Sequence, residues 1–230
     1  MGAADAAEVM STVPGLAQFD TWQLVALAAA LGWASGIRLY AVLFIVGGAG
    51  YLQWVDLPGG LAVLAHPYVL AASGFMFCVE FLADKVPGVD TLWDTVHTFI
   101  RIPAGAALAA SVFGDSSAAA TIVAAIVGGS LAAGSHLAKT GGRAVINTSP
   151  EPFSNWAASI SEEFVVGGLL WLAFAYPIVA LIVLAVLIAL MIWIIPKVWR
   201  FLVRLFGRLA GARPTEPSRG DTTTRHSADV

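Results

Sequence analysis

Between Glu80 and Arg101 the chain reads EFLADKVPGVDTLWDTVHTFIR, which gathers Glu80, Asp84, Lys85, Asp90, Asp94, His97 and Arg101 into an otherwise apolar sequence. Asp90, Asp94, His97 and Arg101 are spaced 4, 3 and 4 apart, one face of a helix. Glu80 and Asp84 stand one turn apart on the segment before, and Pro87-Gly88 predicts a tight turn, so two acidic faces confront each other in a hairpin. Further on, His136, Lys139, Thr140 and Arg143 share a helical face, and Glu162 and Glu163 follow as an adjacent pair of which only one need point at a shared site. Carboxylates and imidazoles in apolar surroundings bind cations or relay protons. Glu80, Asp90, Asp94 and His97 are also the hard ligands a divalent cation takes, and Arg101, Lys139 and Arg143 would suit a phosphate.

The elements that must position these groups are membrane helices. The 230 residues are 58% hydrophobic and 12% charged, and the mean hydropathy is +0.81. Soluble domains carry about 25% charged residues. Apolar stretches long enough to span a bilayer fall at 22–48, 66–86, 90–113, 119–146, 155–176 and 177–196. They are separated by Pro58-Gly59-Gly60, Pro87-Gly88, Gly114-Asp115-Ser116-Ser117, Thr148-Ser149-Pro150-Glu151-Pro152 and Tyr176-Pro177. The expectation is an all-α, polytopic helical bundle of about six spans at 22–196. An acidic tail over 1–21 precedes it, and it lacks the positive n-region of a secretory signal. A basic amphipathic helix over 197–213 and a disordered tail over 214–230 follow.

Lys85, Lys139 and Arg143 lie in or near the second and fourth loops, and Lys197, Arg200, Arg204 and Arg208 follow the last span. The other loops lack Lys and Arg, so the positive-inside rule predicts a multi-pass protein of the inner or plasma membrane with both termini cytoplasmic. Lys197, Arg200, Arg204 and Arg208 share a face opposite Trp199, Leu202 and Leu205, the pattern of a helix lying on anionic lipid. Counted at about 1.5 Å per residue, Glu80, Asp94, His97, His136, Lys139, Glu162 and Glu163 fall in one layer of the inner leaflet, Arg101 near the midplane and Arg38 beyond it. Glu80-Phe81 and Glu163-Phe164 echo each other across a three-plus-three division, the signature of an inverted repeat. Gly32 and Gly36 form a G-x-x-x-G close-packing motif, while Ser35-Gly36 alternatively marks a helix break. A competing geometry lays 90–101 in the interface and makes 102–113 re-entrant. Cys78, alone of its type, excludes an intrachain disulfide.

The run Glu80-Phe81-Leu82-Ala83-Asp84-Lys85-Val86-Pro87-Gly88-Val89-Asp90, with Trp93-Asp94, Val96-His97, Arg101 and Pro103-Ala104-Gly105, resembles the core motif of a bacterial integral-membrane family catalogued as a domain of unknown function. Ser35-Gly36, Ser135-His136 with Lys139, and Asn147-Thr148-Ser149-Pro150 resemble its other motifs. The resemblance covers roughly 22–195 and implies no activity, ligand or catalytic residue.

The residues themselves point first to a transporter or channel-like protein for a small ion, a cation or proton. Glu80 and Asp94 would carry it, and His97 and His136 would relay protons. A metal-dependent enzyme acting on lipid head groups, with Asp90, Asp94, His97 and Glu80 as ligands, is the second reading. An anion site at Arg101 before Pro103 and a non-transporting scaffold held by ion pairs are further ones. No resident cofactor is expected unless a divalent cation binds. The expected partners are the bilayer, anionic lipid and a small ion, with a homo-oligomer allowed. No Walker-type loop or soluble basic domain is present, which argues against ATP-driven transport and nucleic-acid binding.

Overall fold

The structure is a computed structural model that describes residues 19–86, 88–114, 116–148 and 152–211. The tail over 1–18, Pro87, Asp115, the Ser149-Pro150-Glu151 loop, the tail beyond 211 and the side chain of Arg208 lie outside the described residues. Six long helices appear where the sequence predicts them: α1 (Thr21–Tyr51), α2 (Pro67–Ala83), α3 (Val89–Val112), α4 (Ala118–Ile146), α5 (Pro152–Ala175) and α6 (Pro177–Gly211). A 3-10 helix over Gly59–Ala65 precedes α2, and no strand occurs among the described residues.

Local chemistry sets the boundaries. The Gln23 side chain accepts the Asp20 backbone N–H at 2.9 Å, one half of a capping box. Ser117 Oγ accepts the N–H of Ala120 and caps α4. Proline opens α2, α5 and α6, where its fixed φ suits the first turn and its missing N–H costs nothing. Gly88, at φ +87°, turns the chain from α2 into α3. α3 runs unbroken through Pro103, so 102–113 is not a separate re-entrant segment.

α3 and α4 are antiparallel. Gly105 and Ala109 pack on Gly128, Thr98 meets His136, and Asp90 meets Asn147. α6 runs parallel to α4, with Met191 at Gly134 and Val198 at Gly141. At one end of the bundle, the charged end, lie the α2–α3 turn and the start of the α4–α5 connection. At the other, the far end, Gly60 packs on Ser111.

α1 departs from expectation. Arg38 is non-helical (φ −144°, ψ 76°) and the helix breaks there. The first half runs parallel to α4: Val25 shares a groove with Phe113 and Ala120, Gly32 touches Gly128, and Ile37 O reaches Lys139. The second half runs antiparallel to α2, since Arg38 meets Asp84, Phe44 meets Gly74, and Gly47 meets Leu64 and Leu70. α2 and α4 point the same way, so the two halves of α1 point opposite ways. α1 enters from the far end, turns at Arg38 and returns to the far end.

This corrects the span count. By length and composition, four helices can cross a bilayer (α1, α4, most of α5 and most of α6), with the 3-10 helix and α2, bent by 70°, as a fifth if taken together. α1 qualifies by composition yet doubles back. In its apolar window 72% is buried, against 11–28% in α4, α5 and α6, so it is the core of the bundle and they are its wall. Five helices, α2 to α6, alternate between the ends. Thr21 and Gly211 therefore lie at opposite ends, where six full crossings would have put both at one. The break in α1 has no counterpart in α4, so the alternation of directions, common to any up-and-down chain, is all that remains for an inverted repeat. α6 continues without interruption through 197–211, so the basic stretch extends the last helix.

Small residues let α1 sit so deep. A Cβ on Gly32 would lie 2.6 Å from Gly128 Cα, and one on Gly36 would collide with Ser135 Oγ and the Ala132 carbonyl. The G-x-x-x-G motif is a packing device, as predicted.

A buried charge network at the helix break

Breaking a helix in apolar surroundings frees backbone groups that must find partners. α4 supplies them. Ser135 Oγ donates to the Trp33 carbonyl at 2.7 Å, His136 Nδ1 lies 3.3 Å from the Gly36 carbonyl, and Lys139 Nζ donates to the Ile37 carbonyl at 3.2 Å. A cation at a helix C-terminus also complements the helix dipole. The break predicted at Ser35-Gly36 thus exists two residues on, and protein groups fill it.

Arg38 is the hub. Its side chain is wholly buried and reaches Asp84 Oδ2 at 3.0 Å, Glu162 Oε2 at 3.1 Å and Glu163 Oε1 at 3.4 Å. It also donates to Ser159 Oγ at 2.8 Å. Asp84, at the end of α2, takes Lys139 at 2.8 Å and Arg143 at 3.6 Å as well. Arg143 donates to the Asp84 carbonyl at 2.8 Å and to Asn155 Oδ1 at 3.1 Å, and pairs with Glu162 at 3.1 Å. On α3, Arg101 forks between Glu80 Oε1 at 2.6 Å and Asp94 Oδ1 at 2.7 Å. Lys139 joins the two groups, 3.4 Å from Asp94 and 2.8 Å from Asp84. His136 bridges Arg101 at 3.2 Å and Thr98 Oγ1 at 2.7 Å.

Most of the predicted site residues therefore converge: Glu80, Asp84, Asp94, Arg101, His136, Lys139, Arg143, Glu162 and Glu163. Asp90 and His97 do not. Asp90 accepts from the backbone of Gly88 and Thr91 at 2.9 and 2.6 Å and from Asn147 at 2.9 Å, locking the α2–α3 turn to the end of α4. His97 bonds the Trp93 carbonyl through Nδ1 at 2.8 Å and stacks on the Trp93 ring. The four residues proposed as metal ligands are thereby divided, and among the described residues no three His, Cys, Asp or Glu groups are arranged to hold a metal ion. Lys85, in the turn, lies over the Phe81 ring and donates to the Phe81 carbonyl at 3.2 Å. Burial, aided by Arg38, pulls its ammonium below the ordinary lysine range.

Sequence reading missed Arg38 as a site residue because it counted depth along an uninterrupted α1. The available signal was a lone arginine inside an apolar helix, with no acid on its own helix to neutralise it. Asn155 and Ser159, which dress Arg143 and Arg38, also escaped notice as ligands of these cations.

The charges do not balance. Glu80, Asp84, Asp94, Glu162 and Glu163 face Arg38, Arg101, Lys139 and Arg143, so one negative charge is in excess if every acid is ionised. Glu80 Oε2, Asp84 Oδ1, Asp94 Oδ2 and Glu163 Oε1 are buried and lack a hydrogen-bond donor, and Arg38 Nε and Nη1 and Arg101 Nε likewise lack an acceptor. Such oxygens are rare in native proteins and mark sites where a proton, water or ion completes the set.

No curated protein and no solved structure matches the chain. One family does, over the residues that build the bundle and the network. The model for the family described as Domain of unknown function (DUF4126) matches residues 25–197, and the chain belongs to that family.

Proposed function

We propose that the protein is a membrane transporter or channel-like protein for a small cation, with the proton as the favoured ion, and that the network around Arg38 is where the ion resides. The observation that carries this reading is the excess of one carboxylate over permanent cations in the network, together with four buried carboxylate oxygens that lack donors. The proton is favoured over a metal cation on chemical grounds. A metal ion needs several oxygens converging on one point, and these carboxylates gather around three arginines and Lys139 instead, with no three of them arranged to hold a metal among the described residues. A proton needs one. Binding to the one excess acid would neutralise a network whose ionised form is costly in low dielectric.

The reading includes an orientation. Lys85, Lys139, Arg143, Lys197, Arg200 and Arg204 cluster at the charged end or beyond it. The far-end loops carry none, which puts the charged end in the cytoplasm. Thr21, where α1 starts, then lies on the other side, which suits the absence of Lys and Arg from residues 1–20. Lys197, Arg200 and Arg204 sit where anionic headgroups of the inner leaflet can meet them.

The test is proton flux in proteoliposomes, read by an internal pH dye under a potassium diffusion potential. Wild type is expected to acidify the lumen and Asp94→Asn to lose that flux while keeping its fold. Flux no greater than that of empty liposomes, for protons and for sodium and potassium alike, would overturn the proposal.

A further inference from the structure

Glu163 differs from the other acids of the network. Glu80, Asp84, Asp94 and Glu162 each accept a hydrogen bond from a cation. Glu163 has Arg38 Nε at 3.4 Å, its Oε1 takes no hydrogen bond, and a fifth of its side chain is exposed. The charged groups acting on it include Arg38 of α1, Glu80 of α2, Lys85 of the α2–α3 turn, Lys139 of α4 and its own neighbour Glu162.

A groove starts one turn above it. The second half of α1 and α5 leave between them a cleft of about 430 Å³, lined by Ile45, Ala49, Trp54, Gly167, Trp171 and Phe174 among others. Glu163, Gly167, Trp171 and Phe174 lie along one stripe of α5, and Gly167 stands about 6 Å along the axis from Glu163. Nothing lies within 4 Å of where a Gly167 Cβ would be, so the space above Glu163 is open. The lining is apolar and aromatic, the volume is that of a small-molecule site, and Glu163, which does not itself line the cleft, stands one helical turn before Gly167 and belongs to a network with negative charge in excess. Aromatic faces also favour cations.

We propose that this groove binds a lipophilic monovalent organic cation, its apolar body between α1 and α5 and its charge at Glu163, in competition with a proton on the same carboxyl. The inference rests on the cation-transport reading and deepens it: proton and organic cation would occupy Glu163 in turn, which is the requirement for exchanging one against the other.

The test uses tetraphenylphosphonium and purified protein in nanodiscs, with binding read by equilibrium dialysis against empty nanodiscs. Saturable binding is expected, weakening as the pH is lowered because protons load Glu163. Glu163→Gln should weaken it by about tenfold or more, the worth of one buried charged contact. Gly167→Leu, which fills the groove and leaves the carboxyl in place, should do the same without lowering the unfolding temperature. Binding that matches empty nanodiscs, or that persists unchanged in Glu163→Gln and Gly167→Leu, overturns the site. The assay needs no flux. Binding lost in both variants establishes the site even where proteoliposomes carry no protons, a result that would sink only the transport reading. Proton flux without phosphonium binding would sink only the site.

Discussion

Arg38 Nη1 lies 3.0 Å from Asp84 Oδ2, and both side chains are wholly buried. Arg38 stands at the break of α1 and Asp84 at the end of α2, so this pair ties the tip of the doubled-back helix to the turn that opens the charged end. A buried pair is weak evidence for stability in itself, but removing one partner strands the other. Arg38→Leu would leave Asp84, Glu162 and Glu163 without their shared cation. It is expected to destabilise the protein by about 3–5 kcal/mol, or to prevent its accumulation. Thermal unfolding in detergent reads this, and Arg38→Leu combined with Asp84→Leu should recover part of the loss. An Arg38→Leu protein as stable as wild type would contradict the role of hub.

The close approach of α1 to α3 and α4 depends on Gly32 and Gly128. Gly32→Ala puts a methyl group 2.6 Å from the Gly128 backbone, which cannot move aside without parting the helices. A loss of about 1–3 kcal/mol is expected. Gly142→Ala and Gly168→Ala meet nothing and should be neutral or slightly stabilising, since alanine is the better helix former. The contrast, measured as unfolding temperatures of the three variants, separates packing from propensity.

Gly88 adopts a left-handed conformation at the α2–α3 turn, and its N–H is held by Asp90 at 2.9 Å. Gly88→Ala should cost about 1–2 kcal/mol from backbone strain alone, with open space around the added methyl group. Asn147→Ala, which removes the partner of Asp90 at the end of α4, should cost a comparable amount by leaving a buried carboxylate less satisfied. Denaturation of each variant tests this, and unchanged stability in both would show that the turn is not held by these contacts.

These outcomes bear on how far the sequence can be read. Helix boundaries were legible: Pro67, Pro152 and Pro177 open helices, Ser117 caps one, and the apolar stretches between them become α1 to α6. The convergence of Glu80, Asp94 and Lys139 was legible from depth, while Arg101 was legible only from its place on the Asp90–Asp94–His97 stripe. The reversal of α1 was not. No proline marks Arg38, and the run from Thr21 to Tyr51 has the length and hydropathy of a single span. The break is stabilised from elsewhere, by Ser135, His136 and Lys139 on α4, so its cause is tertiary. From that one omission follow the others: the count of six spans and the absence of Arg38 from the predicted site.

Opposite ends for Thr21 and Gly211 make a topology prediction. With Cys78 replaced by serine, single cysteines at Phe19 and Val203 should react with a membrane-impermeant maleimide from opposite faces of intact cells or oriented vesicles. Phe19→Cys is expected to react from outside and Val203→Cys only after permeabilisation. Reaction of both from one face would restore an even number of crossings.

The whole account turns on α1 doubling back at Arg38, because that alone brings Arg38 to the acids. Trp22 and Tyr51 are both exposed and lie at the two ends of the helix, which suits them to spin labels in a Cys78→Ser background. An unbroken helix would hold these positions about 43 Å apart. Electron-electron double resonance in nanodiscs is expected to give a distance distribution centred well below that value, because both labels lie at the far end. A distribution centred at about 43 Å would mean that α1 crosses the bilayer straight, and the network, the topology and the proposed site would fall together.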